Sequence, residues 1–410
     1  MSSKNDGLPR RDFLKGAVWA LPATATAACG GGGGVGGAEE PTATEAPTGG
    51  PPAGVALWGQ DLGLGEMYEG AGDETEVELY IRKCADHGVS RVFAPGASAE
   101  LVQAGAARNV EVHPYKAVAS AGGIRMYPAW SSNFMVPRFG SAEGRAILNA
   151  HRPIWSHPQR IESLSDFVRD NPRHRHRNRE RTDELKPYER VFLSPGLPEG
   201  RAEEARAFAA LLARSGGRGI QAEFVSINED GNGVTTDGYE DSIAGAFREA
   251  TGRNPFDLPN DDQDWVQFRA DRWTEMVRAI RDAVKAERAD AVFTITVINR
   301  DADGYMPRMQ DWAAWVEQGL SDEMHLWFRS TTDLPTIERH CRHFVDTVAG
   351  RVPTMAEFSC YHPGSLQDQT AILEAARIAR GAGMDGLGIY RSHAVEQLGF
   401  WPILEAMTRL

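Results

Sequence analysis

The chain has 410 residues, of which 41% are hydrophobic and 25% are charged, as in an ordinary soluble globular protein. This length accommodates one large α/β barrel with appendages, since such barrels take about 250 residues. The formal net charge of -13 argues against nucleic acid as a partner, because neutralising phosphates requires a clustered basic face.

The amino terminus has the pattern of an export signal. Arg10 and Arg11 precede Phe-Leu-Lys, and a short apolar run over residues 16–22 follows. This arrangement is typical of a twin-arginine signal, and the apolar run is too short to remain as a membrane-spanning helix. We therefore expect the twin-arginine export machinery as a partner and a location outside the cytoplasm, in the periplasm or at the cell surface.

The signal is followed by a possible lipid anchor and a tether. Thr26-Ala-Ala-Cys29 resembles the lipobox of bacterial lipoproteins, in which the cysteine is lipidated and becomes the first mature residue. Cleavage after small residues, which releases a soluble protein, is the alternative. The Gly-, Pro- and Thr-rich residues 30–53 cannot bury enough surface to fold and predict a disordered tether. The predicted order is therefore a signal with its lipobox over 1–29, the tether, and one folded domain over 54–410.

Beyond the tether, short β-rich runs alternate with helical ones, which is typical of a parallel sheet closed by βα units. The pattern predicts strands near residues 55–59, 90–94, 110–117, 219–227, 291–298, 323–328, 353–359 and 386–391. The fold class is therefore α/β, a (β/α)8 TIM barrel. A further β-rich run over 190–194 is an extra edge strand or a ninth pairing. Residues 121–187 break the rhythm and predict a long insertion after strand 3.

The fourth predicted strand carries an acidic side chain, Glu223. Side chains alternate along a strand, so Ile220 and Ala222 point to one face while Gln221 and Glu223 point to the other. The first face suits packing under helices. A carboxylate on the second face, inside a barrel, is tolerated when it is paired, hydrogen-bonded or used in chemistry.

A second acid, Glu357, lies near the end of the seventh predicted strand. Cleavage of a glycoside requires two carboxyl groups about 5 to 9.5 Å apart, one of them a proton donor. We predict Glu223 and Glu357 as this catalytic pair, with Glu223 as the donor, and Glu229 and Asp230 as substitutes just past strand four. The alternative is structural, with Glu357 in an ion pair with an arginine across the barrel mouth.

Aromatic and polar residues near strand ends are candidates for binding a sugar, because aromatic rings stack on the apolar faces of sugars. The predicted substrate-binding residues are Trp58, His113, Trp130, Trp155, Asn228, Trp327, Arg329, Tyr390 and Arg391. Core packing is the commoner role of any single tryptophan.

No cofactor or metal is predicted. Asn228-x-Asp230-x-Asn232-Gly233 imitates the start of a calcium loop, but the twelfth position is Tyr239 and not the required glutamate. A metal-dependent hydrolase would need clustered His and Asp residues, which the sequence lacks.

Several motifs together resemble the glycosyl-hydrolase-like family ten proteins of bacterial envelopes. They are Val55-Ala-Leu-Trp58, Val110-Glu-Val-His113, His151-Arg-Pro-Ile-Trp155, Pro195-Gly-Leu-Pro-Glu199, Gly219-Ile-Gln-Ala-Glu223, Thr251-Gly-Arg-Asn-Pro255 and Gln310-Asp-Trp-Ala-Ala-Trp315. The resemblance implies a TIM barrel and activity on bacterial cell-wall glycan. The pairing of Glu223 with Glu357 also resembles the barrel clan whose catalytic glutamates lie on strands four and seven.

Two function classes follow. The first is an exported glycoside hydrolase, tethered to the membrane by Cys29, that acts on a polysaccharide or oligosaccharide. The second is a carbohydrate-binding or scaffold lipoprotein on a barrel without catalysis. The second is raised by two departures from the family pattern: Glu223 stands where the family usually has Asp, and Leu326-Trp-Phe-Arg329 replaces Pro-Met-x-Tyr.

Overall fold

The structure is a computed structural model. It describes residues 54–59, 75–123, 165–179, 190–223, 237–298, 309–329, 331–360 and 365–410. The export signal, Cys29 and the tether lie outside these residues. Within the described ranges, no helix combines the length and the apolar character needed to cross a membrane.

Eight parallel strands close into a barrel, which confirms the predicted (β/α)8 fold. In chain order they are β1 (Val55–Trp58), β2 (Val89–Pro95), β3 (Glu111–Ala117), β6 (Gly219–Glu223), β7 (Val292–Ile298), β8 (Glu323–Phe328), β9 (Thr354–Ser359) and β10 (Gly386–Tyr390). The carboxyl ends of parallel strands meet at one face of the barrel, so residues at these ends come together.

The alternation predicted for the fourth barrel strand, β6, is observed. Ile220 and Ala222 are buried in the large apolar core between the barrel and its helices. Gln221 points the other way, because it hydrogen-bonds to Trp58 on β1 across the barrel interior. Glu223 shares the inward face of Gln221. The sequence pattern therefore places the acid inside the barrel, as expected.

Helices cover the outside of the barrel. They are α1 (Glu76–Asp86), α2 (Ala99–Ala107), α3 (Asp166–Asp170), α4 (Pro198–Ser215), α5 (Asp241–Thr251), α6 (Gln263–Glu287), α7 (Trp312–Glu317), α8 (Leu334–Val348), α9 (Gln369–Gly381), α10 (Ser392–Leu398) and α11 (Trp401–Met407). Local chemistry sets several boundaries. Thr75 and Glu78 form a capping box at the start of α1. Helix α4 begins at Pro198 and ends at Gly216, whose φ of 70° favours glycine.

The β-rich run near residue 190 forms a strand outside the barrel. It is β5 (Arg190–Phe192), and it pairs antiparallel with β4 (Ser120–Gly123) in a separate two-stranded sheet. Of the two alternatives for this run, an extra edge strand or a ninth pairing, neither adds to the barrel: β5 and β4 form a sheet of their own, from the two ends of the predicted insertion. Strand β4 directly follows β3, and the backbone N–H of Val118 between them donates to the carbonyl oxygen of Glu223 at 2.9 Å. This hydrogen bond joins the segment that leads into the small sheet to the last residue of β6.

Candidate active site

Glu223 and Glu357 both lie inside the barrel. Glu223 is the last residue of β6 and Glu357 is the fourth residue of β9, the seventh barrel strand. Both side chains are buried. Burial raises the pKa of Glu357, and the charge of Glu223 raises it further. Both predicted acids therefore lie inside the barrel, and their pairing and catalytic role stay predictions.

Glu357 has an unusual environment for a carboxyl group. Its side chain is 0% exposed, and neither of its oxygens has a hydrogen-bond partner in the part of the chain that the structure describes. Burial raises its pKa well above the ordinary value of 4.5, the charge of Glu223 raises it further, and the charge of Arg391 opposes both effects. The two raising effects favour the protonated, neutral form of the Glu357 carboxyl group. The sequence placed the proton on Glu223, whereas the structure favours Glu357 as the protonated member.

The alternative role of Glu357, an ion pair with an arginine, is not what the structure shows. The guanidinium group of Arg391 lies over the ring of Tyr390, 4.7 Å from its centroid, and donates to its hydroxyl at 2.8 Å. Arg329 lies over the ring of Trp327, 5.8 Å from its centroid. Both arginines therefore follow their strands at the carboxyl face, as predicted, but the carboxyl group of Glu357 accepts no hydrogen bond from either.

Three of the predicted sugar-stacking residues form a wall inside the barrel. Trp58, Trp327 and Tyr390 are each at most 3% exposed. The rings of Trp327 and Tyr390 lie 4.8 Å apart, and Trp58 stacks on Phe93, also at 4.8 Å. Trp58 is covered by Phe93, and the planes of the Trp327 and Tyr390 rings are tilted by 55°, because inward-facing side chains of different strands meet inside the barrel. The expectation of open stacking platforms is corrected for these three residues.

His113 lies lower in the barrel than predicted. It is buried, two residues after the start of β3, and its Nε2 is 3.6 Å from an oxygen of Glu111. Burial lowers its pKa, so it is a neutral imidazole. Its ring meets Phe93 edge-on at 5.5 Å. Because it lies near the amino end of its strand, His113 belongs to the barrel floor and not to a substrate-binding mouth.

A buried polar network, which the sequence analysis missed, forms the floor of the barrel. Gln221 contacts Trp58 and His325, His325 Nε2 lies 3.0 Å from Glu323 Oε1, and Arg91 donates to Glu323 Oε2 at 2.6 Å. Arg91 also donates to Glu111 at 3.2 Å. The signal in the sequence was inward alternation: Gln221 is two residues before Glu223, and His325 is two before Trp327.

The ionisation of this floor network gives a stability prediction. Burial alone would raise the pKa of Glu323, but the hydrogen bond from His325 and the charge of the Arg91 guanidinium lower it from 4.5 to about 2. Glu323 therefore contributes stability that is present above pH 4.5 and is lost as the pH falls through 2. We expect Arg91→Met to lower the free energy of unfolding by about 3–5 kcal/mol at pH 7, because it leaves a buried carboxylate without its cation.

Urea unfolding measures this effect, and Arg218→Met is the matched control. Arg218 also pairs with Glu111, at 3.3 Å, but its side chain is 80% exposed. Its loss should change stability by less than about 1 kcal/mol. Equal effects of the two substitutions would contradict the role given to Arg91.

The remaining predicted site residues lie outside the described residues. They are Trp130, Trp155, Asn228, Glu229 and Asp230. In the described ranges, no group of three or more His, Cys, Asp or Glu side chains could hold a metal ion.

The structure is thus a closed parallel (β/α)8 barrel with one buried glutamate on its fourth strand and another on its seventh. Residues 154–338 match the family described as "Glycosyl hydrolase-like 10". This match confirms the resemblance drawn from the motifs, four of which lie within the matched residues. A search of curated proteins finds no match.

Solved structures share the fold at low sequence identity. The PgaB (BpsB) glycoside hydrolase domain from Bordetella bronchiseptica is 12% identical with a TM-score of 0.58, over 87% of this chain and 98% of that one. The β-galactosidase from Marinomonas ef1 is 11% identical with a TM-score of 0.52, over 82% of this chain and 54% of that one. The β-galactosidase from Bacillus circulans sp. alkalophilus is 13% identical with a TM-score of 0.52, over 83% and 50%. This chain spans about half the length of these two β-galactosidases.

Proposed function

We propose that the protein is a glycoside hydrolase that cleaves a polysaccharide or oligosaccharide with Glu357 and Glu223. The observation that carries the proposal is the Glu357 carboxyl group, fully buried, without a hydrogen-bond partner in the described residues, and coupled to a second carboxyl group. A buried acid without a partner lowers the stability of the fold, and such acids are found most often at functional sites. The Bordetella neighbour, described as a glycoside hydrolase domain, supports the same reaction class.

In the proposed reaction Glu357 is the general acid. Its proton passes to the glycosidic oxygen as the bond between that oxygen and the anomeric carbon breaks. Glu223 acts as the carboxylate, which either bonds to the anomeric carbon or accepts a proton from the attacking water. This assignment reverses the roles expected from the sequence. It rests on the absence of a hydrogen-bond donor to Glu357 among the residues that the structure describes, since a carboxyl group that no donor stabilises retains its proton most readily.

Incubation of the purified protein with a panel of neutral, amino and acidic glycans tests the proposal. Release of new reducing ends from at least one glycan is the expected result. A glycan that binds in calorimetry but is never cleaved would instead support the rival function, a carbohydrate-binding or scaffold protein on the same barrel.

We also propose that the protein is exported by the twin-arginine machinery and held at the membrane through Cys29. The support is the sequence pattern of residues 1–53 alone. Replacement of both Arg10 and Arg11 by lysine should retain the protein in the cytoplasm, because the export machinery recognises the arginine pair. Fractionation followed by immunoblotting measures this, with Lys4→Arg as a control that keeps the pair. Unchanged export of the double lysine variant would remove the assignment.

A further inference from the structure

The side-chain amide of Gln221 lies at a junction of four barrel strands. Its oxygen accepts from the indole N–H of Trp58 on β1 at 2.8 Å. Its nitrogen donates to Thr296 Oγ1 on β7 at 2.6 Å and lies 3.0 Å from Nδ1 of His325 on β8. Gln221 itself is fully buried on β6. The amide thus ties Trp58 to three strands on the other side of the barrel.

The chemistry of these partners fixes the direction of each bond. An indole N–H only donates, so the amide oxygen must face Trp58 and the amide nitrogen must face His325. Nδ1 of His325 is then an acceptor, and the ring proton lies on Nε2, where it donates to the Glu323 carboxylate at 3.0 Å. Burial lowers the pKa of His325, in agreement with a neutral ring. The network therefore has a single orientation that ends at the indole of Trp58.

The indole of Trp58 fills the space beside Glu357. Glu357 on β9 is in register with Gly388 on β10, so the two residues are neighbours on the inner face of the barrel. A Cβ atom on Gly388 would lie 2.3 Å from Cζ3 of Trp58. Glycine thus leaves room for the indole where a β10 side chain would otherwise stand. On its other side Glu357 is in register with Trp327. Two indoles therefore flank the carboxyl group.

We propose that Gln221 is a positioning residue that holds the Trp58 indole against Gly388, so that the indole keeps water away from the Glu357 carboxyl group. The inference rests on the proposed function for its catalytic meaning, but not for its geometry. Gln221 itself does not touch the reacting atoms in this account. It acts through Trp58 on the ionisation of the acid.

Among the described residues, two charged groups act on Glu357, one at the end of β6 and one just after β10. Glu223 on β6 raises the pKa of Glu357, and Arg391 after β10 lowers it. Tyr390 on β10 is neutral, since burial raises its pKa well above 10. None of these groups hydrogen-bonds to Gln221 in the described contacts, so a substitution at Gln221 leaves the charges in place and alters the packing of Trp58.

Gln221→Met tests the inference, because methionine has a similar size and makes none of the three hydrogen bonds. The ionisation of Glu357 is followed by infrared difference titration of its carboxylic acid band, with Glu357→Gln as the reference. We expect the pKa of Glu357 to fall by about one unit or more as water reaches it. In assays of glycan hydrolysis, kcat should fall and KM should change little. The alkaline limb of the profile of kcat against pH should shift to lower pH.

Two further variants keep the test decisive. Trp58→Phe removes the indole N–H and the ring portion over Gly388, and it should lower the pKa of Glu357 in the same direction even if Gln221→Met does not fold. Thr354→Val is the control: Thr354 begins β9 and bonds to Asp385 at 3.0 Å, so its loss removes a buried hydrogen bond on the strand of Glu357 but away from the acid. In Thr354→Val the pKa of Glu357 should equal its pKa in the parent.

A folded Gln221→Met or Trp58→Phe protein in which Glu357 titrates as in the parent would overturn the inference. The titration needs no substrate. Absence of turnover on every glycan would therefore count against the proposed function, and an unchanged titration would count against the role of Gln221.

Discussion

Glu357→Gln is expected to reduce glycan hydrolysis by about 10²–10⁴-fold, because it removes the proton donor and preserves the shape of a neutral carboxyl group. Binding of the same glycan should persist, since an amide replaces an acid that carries no charge near neutral pH. The measurement is kcat/KM by reducing-end release, with affinity determined separately by calorimetry. Glu204→Gln is a matched control, because Glu204 is also buried but pairs with Lys116 at 2.6 Å outside the barrel interior.

The stability of Glu357→Gln gives an independent readout of the same acid. The folded-state pKa of Glu357 is raised by burial, so the unfolded chain ionises first as the pH rises above 4.5. The acid therefore reduces the stability of the parent progressively from that pH up to the folded pKa. Thermal unfolding of Glu357→Gln should lack this decline and match or exceed the parent above neutral pH. A variant that is less stable than the parent at alkaline pH would contradict the assigned protonation state.

Glu223→Gln should have two effects at once. Hydrolysis should fall by about 10²–10⁴-fold, because the carboxylate that attacks or activates water is lost. The alkaline limb of the pH profile of the residual activity should also lie at lower pH than that of the parent. The sign follows from charge: ionised Glu223 raises the pKa of Glu357, so a neutral amide at this position lets that pKa fall.

Chemical rescue separates the two roles. A small anion such as azide can replace a missing nucleophile, so Glu223→Ala should regain activity with added azide if Glu223 attacks the sugar. The activity of Glu357→Ala should instead depend on the leaving group of the substrate. This variant should cleave activated aryl glycosides far better than natural ones. The reverse pattern would restore the roles expected from the sequence, with Glu223 as donor.

Much of the barrel could be predicted because its signals are local. Each strand carries its own apolar alternation. In the predicted 219–227 strand, the alternation of Ile220, Gln221 and Ala222 is enough to place Glu223 on the inward face. Strand β5 shows the limit. Its β-rich residues predicted a strand, but its partner, β4, is about 70 positions away in the chain, and no local pattern reports such a pairing.

The environment of the acid could not be predicted for the same reason. Glu357 is buried because Trp58 occupies the space over Gly388, and this depends on the register of β9, β10 and β1. The rings of Trp327 and Tyr390, predicted to stack on a sugar, likewise pack against each other across β9, 4.8 Å apart. Gln221 was visible as an inward polar residue, yet its partners lie on three other strands.

The most direct test of the central claim is a double-mutant cycle at the acid pair. Reducing-end release would be measured for the parent, Glu223→Gln, Glu357→Gln and the double variant on one cleaved glycan. If the two carboxyl groups act as one unit, each single variant loses activity by orders of magnitude. The double variant is then only slightly less active than the less active of the two single variants. Parent-level hydrolysis in both single variants would contradict the account.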